Sequence, residues 1–329
     1  MDSVINVLKA ALEMGLIWSL FVLGVYLSYR VLDIADLGVE GTFPLGACLA
    51  AILICNGVNP LIATILAVIG GVLVGVITGE LHTRLKIPAI LAGIITMTGL
   101  LTINLIVLGI SKEFGATLAN LPLMNSETKE YFPTVFTNLS DLLTTNISFG
   151  SASMWKYLGR LVIIGVFVLV VYMGIYYFFG TTLGMSIRAT GINDKMARAQ
   201  GINTKRMIIL GLAISNGLVA LAGALFAQKN MTAVVDSGRG TIVIGLASII
   251  IGEAIFGRRD FKMSLVSVIV GSIVYQLLEA VAFELNVLDY LKLVTAIIIT
   301  VILTIPLIKP ALAKKLGLYN KYTGGGKNA

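Results

Sequence analysis

The chain has 329 residues, is 57% hydrophobic and only 12% charged, and carries a formal charge of +7. Its mean hydropathy of +0.95 excludes a water-soluble domain, which cannot hide that much apolar surface. Apolar runs of membrane-spanning length recur throughout, so the sequence predicts one all-α transmembrane domain over residues 1–329. A barrel would need alternating strands of about ten residues, and these runs do not alternate.

Met1 to Glu13 is a weakly amphipathic lead-in with no cleavage pattern of a signal peptide. Helices are predicted near 13–30, 42–56, 61–79, 89–110, 158–179, 206–228, 241–257, 263–285 and 291–308. The second and seventh are short and start after glycine-rich breaks. Cys48 and Cys55 share one apolar run and read as free buried thiols. His82 is the only histidine, so no metal site is expected. The 111–157 connector holds Glu113, Glu127, Glu130 and Asp141. It is expected to be exposed and partly helical.

Between two long apolar runs lies a polar, basic island, Gly180 to Thr204. Asn193 suits an N-cap, Asp194 follows in the first turn, good helix formers run to Gln200, and Gly201 supplies a left-handed stop. A short helix between two spans is a handle that a cytosolic partner can push. Ala197, small and central, and Met196, its apolar neighbour, are the expected contact positions, with Arg198 beside them.

Basic residues set the orientation. Of the twenty-four, sixteen fall in connectors on one side, including the island and the 309–329 tail. The positive-inside rule makes that side cytoplasmic. The N-terminus and the 111–157 connector then lie outside. Topology and anionic membrane lipid account for the positive charge, and no nucleic-acid partner is needed.

The chain echoes itself. Glu40-Gly41-Thr42 opens one short span and Arg239-Gly240-Thr241 opens another, five crossings later. An odd separation inverts the copies, as in transporters whose broken helices flank a central pathway. Gly71, Gly75 and Gly79 make a small-residue stripe for close helix packing, more simply inside one subunit than across a dimer seam. Intramembrane polar groups are few. Thr42, Thr96, Thr98, Asn104, Ser215, Asn216 and Glu279 are the candidates to line a solute pathway, although each can equally bond a neighbouring helix. Glu253 is expected to pair with Arg258 and Arg259. No nucleotide-binding loop, metalloprotease motif or nucleophile elbow occurs, so no catalytic residue and no cofactor is expected.

Three stretches carry a family resemblance: Thr182-Leu183-Gly184-Met185-Ser186-Ile187-Arg188-Ala189, Ala197-Arg198-Ala199-Gln200-Gly201-Ile202-Asn203 and Ala220-Leu221-Ala222-Gly223-Ala224-Leu225. With Leu32 to Gly41 and Gly46-Ala47, they resemble permeases of binding-protein-dependent ABC importers, in the branched-chain amino acid and ribose branch. The likeness covers about residues 15 to 310. The chain lacks the extra N-terminal span of sugar-type members, and its Gly38 to Pro44 stretch resembles a subgroup linked with aromatic amino acids. The resemblance implies a multi-pass protein of the bacterial cytoplasmic membrane. The 181–205 segment would couple it to a separate ABC ATPase dimer, a lipoprotein or periplasmic binding protein would deliver solute, and a second permease copy would complete a homodimer. A self-sufficient carrier or channel for a small polar solute is the alternative.

Overall fold

The computed structural model describes residues 2–109, 119–124, 130–137, 152–257 and 260–284, with 297 and 300. Helix α1 (Asp2–Tyr26) runs into a π-helical turn, Leu27–Val31, and is followed by α2 (Val39–Cys55), α3 (Pro60–Thr83) and α4 (Ala89–Gly109). A strand β1 (Asn120–Pro122) precedes α5 (Ala152–Gly180), α6 (Thr182–Ile192), α7 (Asp194–Ala199) and α8 (Thr204–Asn230). Strand β2 (Thr232–Val234) then leads to α9 (Thr241–Phe256) and α10 (Phe261–Glu284). Among the described residues seven helical stretches are long and apolar enough to cross a membrane, and α2 is shorter. The fold is a polytopic helical bundle, as the composition predicts. Of the predicted ninth span, 291–308, only 297 and 300 are described, both helical, and the 309–329 tail lies outside the described residues.

Helix α8 is the spine. Its small residues let α3 close on it. A side chain on Gly75 would come within 2.6 Å of Ala213 Cα, and one on Gly79 within 2.9 Å of Ile209 Cα. The glycine stripe is therefore consumed inside the chain, where close backbone approach strengthens dispersion contacts that lipid cannot replace. Helix α1 packs on α10 in the same manner. A side chain on Gly15 would meet Ile273 Cα at 2.8 Å, and Ser272 Oγ donates to Gly15 O at 2.9 Å. Each half of the echo thus leans on the other: α3 of the first on α8 of the second, α10 of the second on α1 of the first. Between them Trp18, Phe21, Phe43 and Phe226 form an aromatic knot joining α1, α2 and α8, with Trp18 to Phe43 at 5.3 Å.

At the end where α2 finishes, the described parts of the 111–157 connector are exposed in part, as expected, at Asn120, Glu130 and Tyr131, but other residues pack on the bundle. Residues Asn120 to Pro122 pair antiparallel with Val234 to Thr232. Leu121, Leu123, Val135 and Phe136 are buried, and Val135 N donates to Gln228 Oε1 at 3.1 Å. Apolar residues two apart, which look too sparse for a core in sequence, suffice once a strand lays them on the bundle. Glu113, Glu127 and Asp141 lie outside the described residues. Helix α5 also starts earlier than the predicted 158, at Ala152. Cys48 and Cys55 are free and buried, as expected.

Candidate functional site

At the opposite end, which bears Arg84 and Lys86, the segment from Thr181 to Asn203 is built from three capped starts. Thr181 Oγ1 accepts from Gly184 N at 3.3 Å, Asn193 Oδ1 from Met196 N at 3.0 Å, and Asn203 Oδ1 from Arg206 N at 3.2 Å. Such caps matter because α7 has six residues and an isolated helix that short does not hold in water. Gly201 takes φ +82° just past α7, a conformation suited to glycine. Asp194 and Arg198 form an ion pair along the helix. Ala197 is only 2% exposed, so its methyl faces the molecule itself and helps shape the segment. Four apolar side chains of the segment point outward: Leu183 and Met185 on α6, Ile192 at its end, 84% exposed, and Met196 on α7, 59% exposed. Ile192, the last residue of α6, was not among the expected contacts, because α6 was not legible as a separate helix.

This segment touches the first helix break. A side chain on Gly191 would lie 2.9 Å from Leu32 Cα and closer still to the Val31 carbonyl. There the π turn ends with Leu32 N donating to Leu27 O at 3.1 Å and Ile34 N to Ser28 O at 2.9 Å. Arg30, on that turn, pairs with Glu253 near the end of α9. Arg258 and Arg259, the partners expected for Glu253 from the sequence, lie outside the described residues. From Leu32 to Gly38 the chain is unwound. Asp36, 2% exposed, takes over the hydrogen bonding. Its oxygens accept from Gly38 N and from Asn216 Nδ2, each at 2.8 Å, while Asn216 Oδ1 accepts from Thr42 Oγ1 at 2.7 Å. A buried polar network of this kind is stable only when every member has a partner.

The two echoed motifs meet. Gly240 N donates to Glu40 Oε1 at 3.1 Å, and a side chain on Gly238 would strike Pro44 Cδ at 2.7 Å. Helices α2 and α9 start side by side here and run to opposite ends of the bundle. With 17 and 16 residues they are about 25 Å long, short of the roughly 30 Å apolar layer. An open groove lies at this junction. Its polar lining is Glu40, Thr98, Asn104 and Arg239; Pro44, Met97, Leu101 and Val235 supply apolar wall.

Of the predicted pathway residues, Thr98 and Asn104 line this groove. Thr42 and Asn216 are buried in the Asp36 network, and Ser215 Oγ donates to Gly24 O at 2.7 Å, fastening α8 to α1. Thr96 is buried and accepts from Thr78 Oγ1 at 3.0 Å. Glu279 lies on α10, half-buried, and accepts from Gln276 Nε2 at 2.9 Å. The sequence reading passed over Glu40, Arg239 and Asp36 as site residues. The signal for the first two was present in the echo itself, whose first residues they are.

Two opposed short helices with a groove where they meet give the bundle the architecture of a membrane permease. The chain belongs to the family described as branched-chain amino acid transport system / permease component, whose model matches residues 7–303. It is 35% identical over 291 residues to a tyrosine transport system permease protein of Clostridioides difficile, covering 88% of each chain. It is 23% identical over 257 residues to the ribose import permease of Haemophilus influenzae, covering 76% of each. An inner membrane ABC transporter permease of Escherichia coli is 29% identical over 210 residues, 63% of this chain and 55% of that one. No solved structure matches the chain.

Proposed function

We propose that this ABC transporter permease subunit forms the pathway for a small solute, an amino acid of aromatic type, handed over by an extracellular binding protein and driven by a separate ATPase dimer. The reading is carried by one observation: the apolar pair Ile192 and Met196 stands exposed on a segment whose helices are capped in place. Apolar groups exposed on a rigid segment are suited to a protein contact. The segment is the coupling element, residues 181–205. Asn193, Asp194, Arg198 and Gly201 hold its shape, Ala197 seats it on the bundle, and Ile192 with Met196 enter the groove of the ATPase. The distribution of basic residues supports a cytoplasmic position for this end and for the 309–329 tail. The β1–β2 end, with the 111–157 connector, then faces outside and receives the binding protein. One coupling element per chain and a dimeric ATPase favour two permease copies in a symmetric pair within the lipid bilayer.

The experiment is a double substitution, Ile192→Glu with Met196→Glu. Both sites are exposed, so stability should change by less than about 0.5 kcal/mol. Capture of the ATPase on the purified permease should fall by roughly tenfold or more, as for loss of central contacts in an interface. Undiminished capture, or uptake that proceeds with no ATPase bound, rejects the coupling role.

A further inference from the structure

The groove at the helix junction has the chemistry of a zwitterion site, and we infer that it holds an α-amino acid by its ammonium and carboxylate groups during passage. The inference rests on the importer reading above. Three independent observations converge on it.

The first is an acceptor without a donor. Asn104 is 0% exposed and lines the groove. Its Nδ2 donates to Gly41 O at 3.2 Å, but its Oδ1 has no hydrogen-bond partner among the described residues. A buried acceptor left unpaired is costly, and such a group calls for a donor that arrives with a ligand. The donor-rich end of an amino acid is its ammonium. Glu40, on the same wall, supplies the opposing charge.

The second is the cation. Arg239 reaches the same groove. Its ion pair with Asp236, at 3.0 Å, is largely exposed, and exposed pairs contribute little. The guanidinium is therefore free to exchange that partner for a ligand carboxylate, which it can grip with two parallel hydrogen bonds.

The third is charge balance. Two helix starts, α2 and α9, converge here, each adding roughly half a positive charge. Together with Arg239 they offset the two carboxylates of Glu40 and Asp236. A groove near neutrality, with separated charges of both signs, suits neither a bare anion nor a bare cation. Met97 and Leu101 leave an apolar wall for a hydrocarbon side chain. Ribose, uncharged and polyhydroxylated, would satisfy neither charge.

The test uses the full-length permease in lipid nanodiscs, with Thr98→Cys as a reporter inside the groove. Cys48 and Cys55 are buried, and labelling of the chain without Thr98→Cys gives the background. Labelling by a polar maleimide is followed in the presence of L-phenylalanine, phenethylamine, which lacks the carboxylate, or 3-phenylpropionate, which lacks the ammonium. L-Phenylalanine should slow labelling at roughly tenfold lower concentration than either analogue, the loss of one charge-assisted contact. Adding Glu40→Gln should erase its advantage over 3-phenylpropionate, and adding Arg239→Gln its advantage over phenethylamine. Glutamine at 40 keeps an oxygen for Gly240 N, so the junction itself is preserved. Equal protection by all three compounds, or none by L-phenylalanine, overturns the site. The outcome separates from that of the coupling experiment. Charge-selective protection with an ATPase indifferent to Ile192→Glu/Met196→Glu leaves the site standing and removes the importer. Lost capture without protection does the reverse.

Discussion

The two helix breaks descend from the same echoed pattern, yet they are held by different chemistry. The first, Leu32 to Gly38, is closed by side chains: Asp36 bonds Gly38 N and Asn216, and Asn216 bonds Thr42. The second, Met231 to Gly240, is closed by backbone, through the pairing of β2 with β1 and a 3₁₀ turn at Val235–Gly238. The first break touches the α6–α7 segment through Gly191, while the second is stitched to the opposite end of the bundle. The α6–α7 segment therefore rests against a joint held by three side-chain hydrogen bonds. The other joint is held by a sheet. At the junction of the two, beside the groove, Gly240 N donates to Glu40 Oε1, so the two breaks are directly joined.

If the first joint depends on side chains, it should break with one substitution. Asp36→Ala leaves Asn216 Nδ2 short of one acceptor and Gly38 N without its carboxylate partner, both in buried surroundings. Orphaned groups cost about 1–3 kcal/mol each, so a loss of about 3 kcal/mol is expected. Cys48 and Cys55 report it: a dye that fluoresces on reaction with thiols should respond at a clearly lower temperature. Asp36→Asn keeps an acceptor oxygen and should recover part of the loss. An unchanged midpoint for Asp36→Ala would mean the joint is held by something other than this carboxylate.

Thr42→Val tests the next link. Valine matches threonine in shape but cannot donate, so Asn216 Oδ1 loses its partner while the packing stays. The expected cost is about 1 kcal/mol, read by the same thiol assay. A loss equal to that of Asp36→Ala would show that the network fails as a unit, and a double substitution would then be no worse than either alone.

The sequence showed the spans well, because a helix in lipid must satisfy its own backbone and so announces itself as a long apolar run. It showed Asn193 as a cap and Gly201 as a left-handed stop, both of which depend only on local chemistry. It failed where a residue's role depends on what lies across the bundle. Ser215 and Asn216 look like pathway groups when read along α8, but the strand of chain that meets them, Gly24 and Asp36, is some 190 and 180 residues away. Ala197 looks like a contact point on a short exposed helix; burial of that one face was decided by how α7 lies on α8. The groove residues Glu40 and Arg239 were visible only as the openings of a repeat, not as charges that come together.

A final difference between the breaks is small and local. Each opens with a non-glycine residue in the left-handed region: Asp33 at φ 57° and Met231 at φ 55°. Aspartate tolerates that conformation, because its short polar side chain bonds nearby backbone, whereas methionine gains nothing from it. Glycine at either place would remove the strain of about 1 kcal/mol but add roughly 0.5–1 kcal/mol of backbone entropy loss on folding. For Asp33→Gly the two nearly cancel. For Met231→Gly, at the position past α8 where glycine commonly ends a helix, a net gain of about 0.5 kcal/mol is expected. The thiol midpoint should therefore rise slightly for Met231→Gly and stay put for Asp33→Gly. A gain at Asp33 as large as that at Met231 would mean the first break is strained by its backbone as well, and that its side-chain network works against a load.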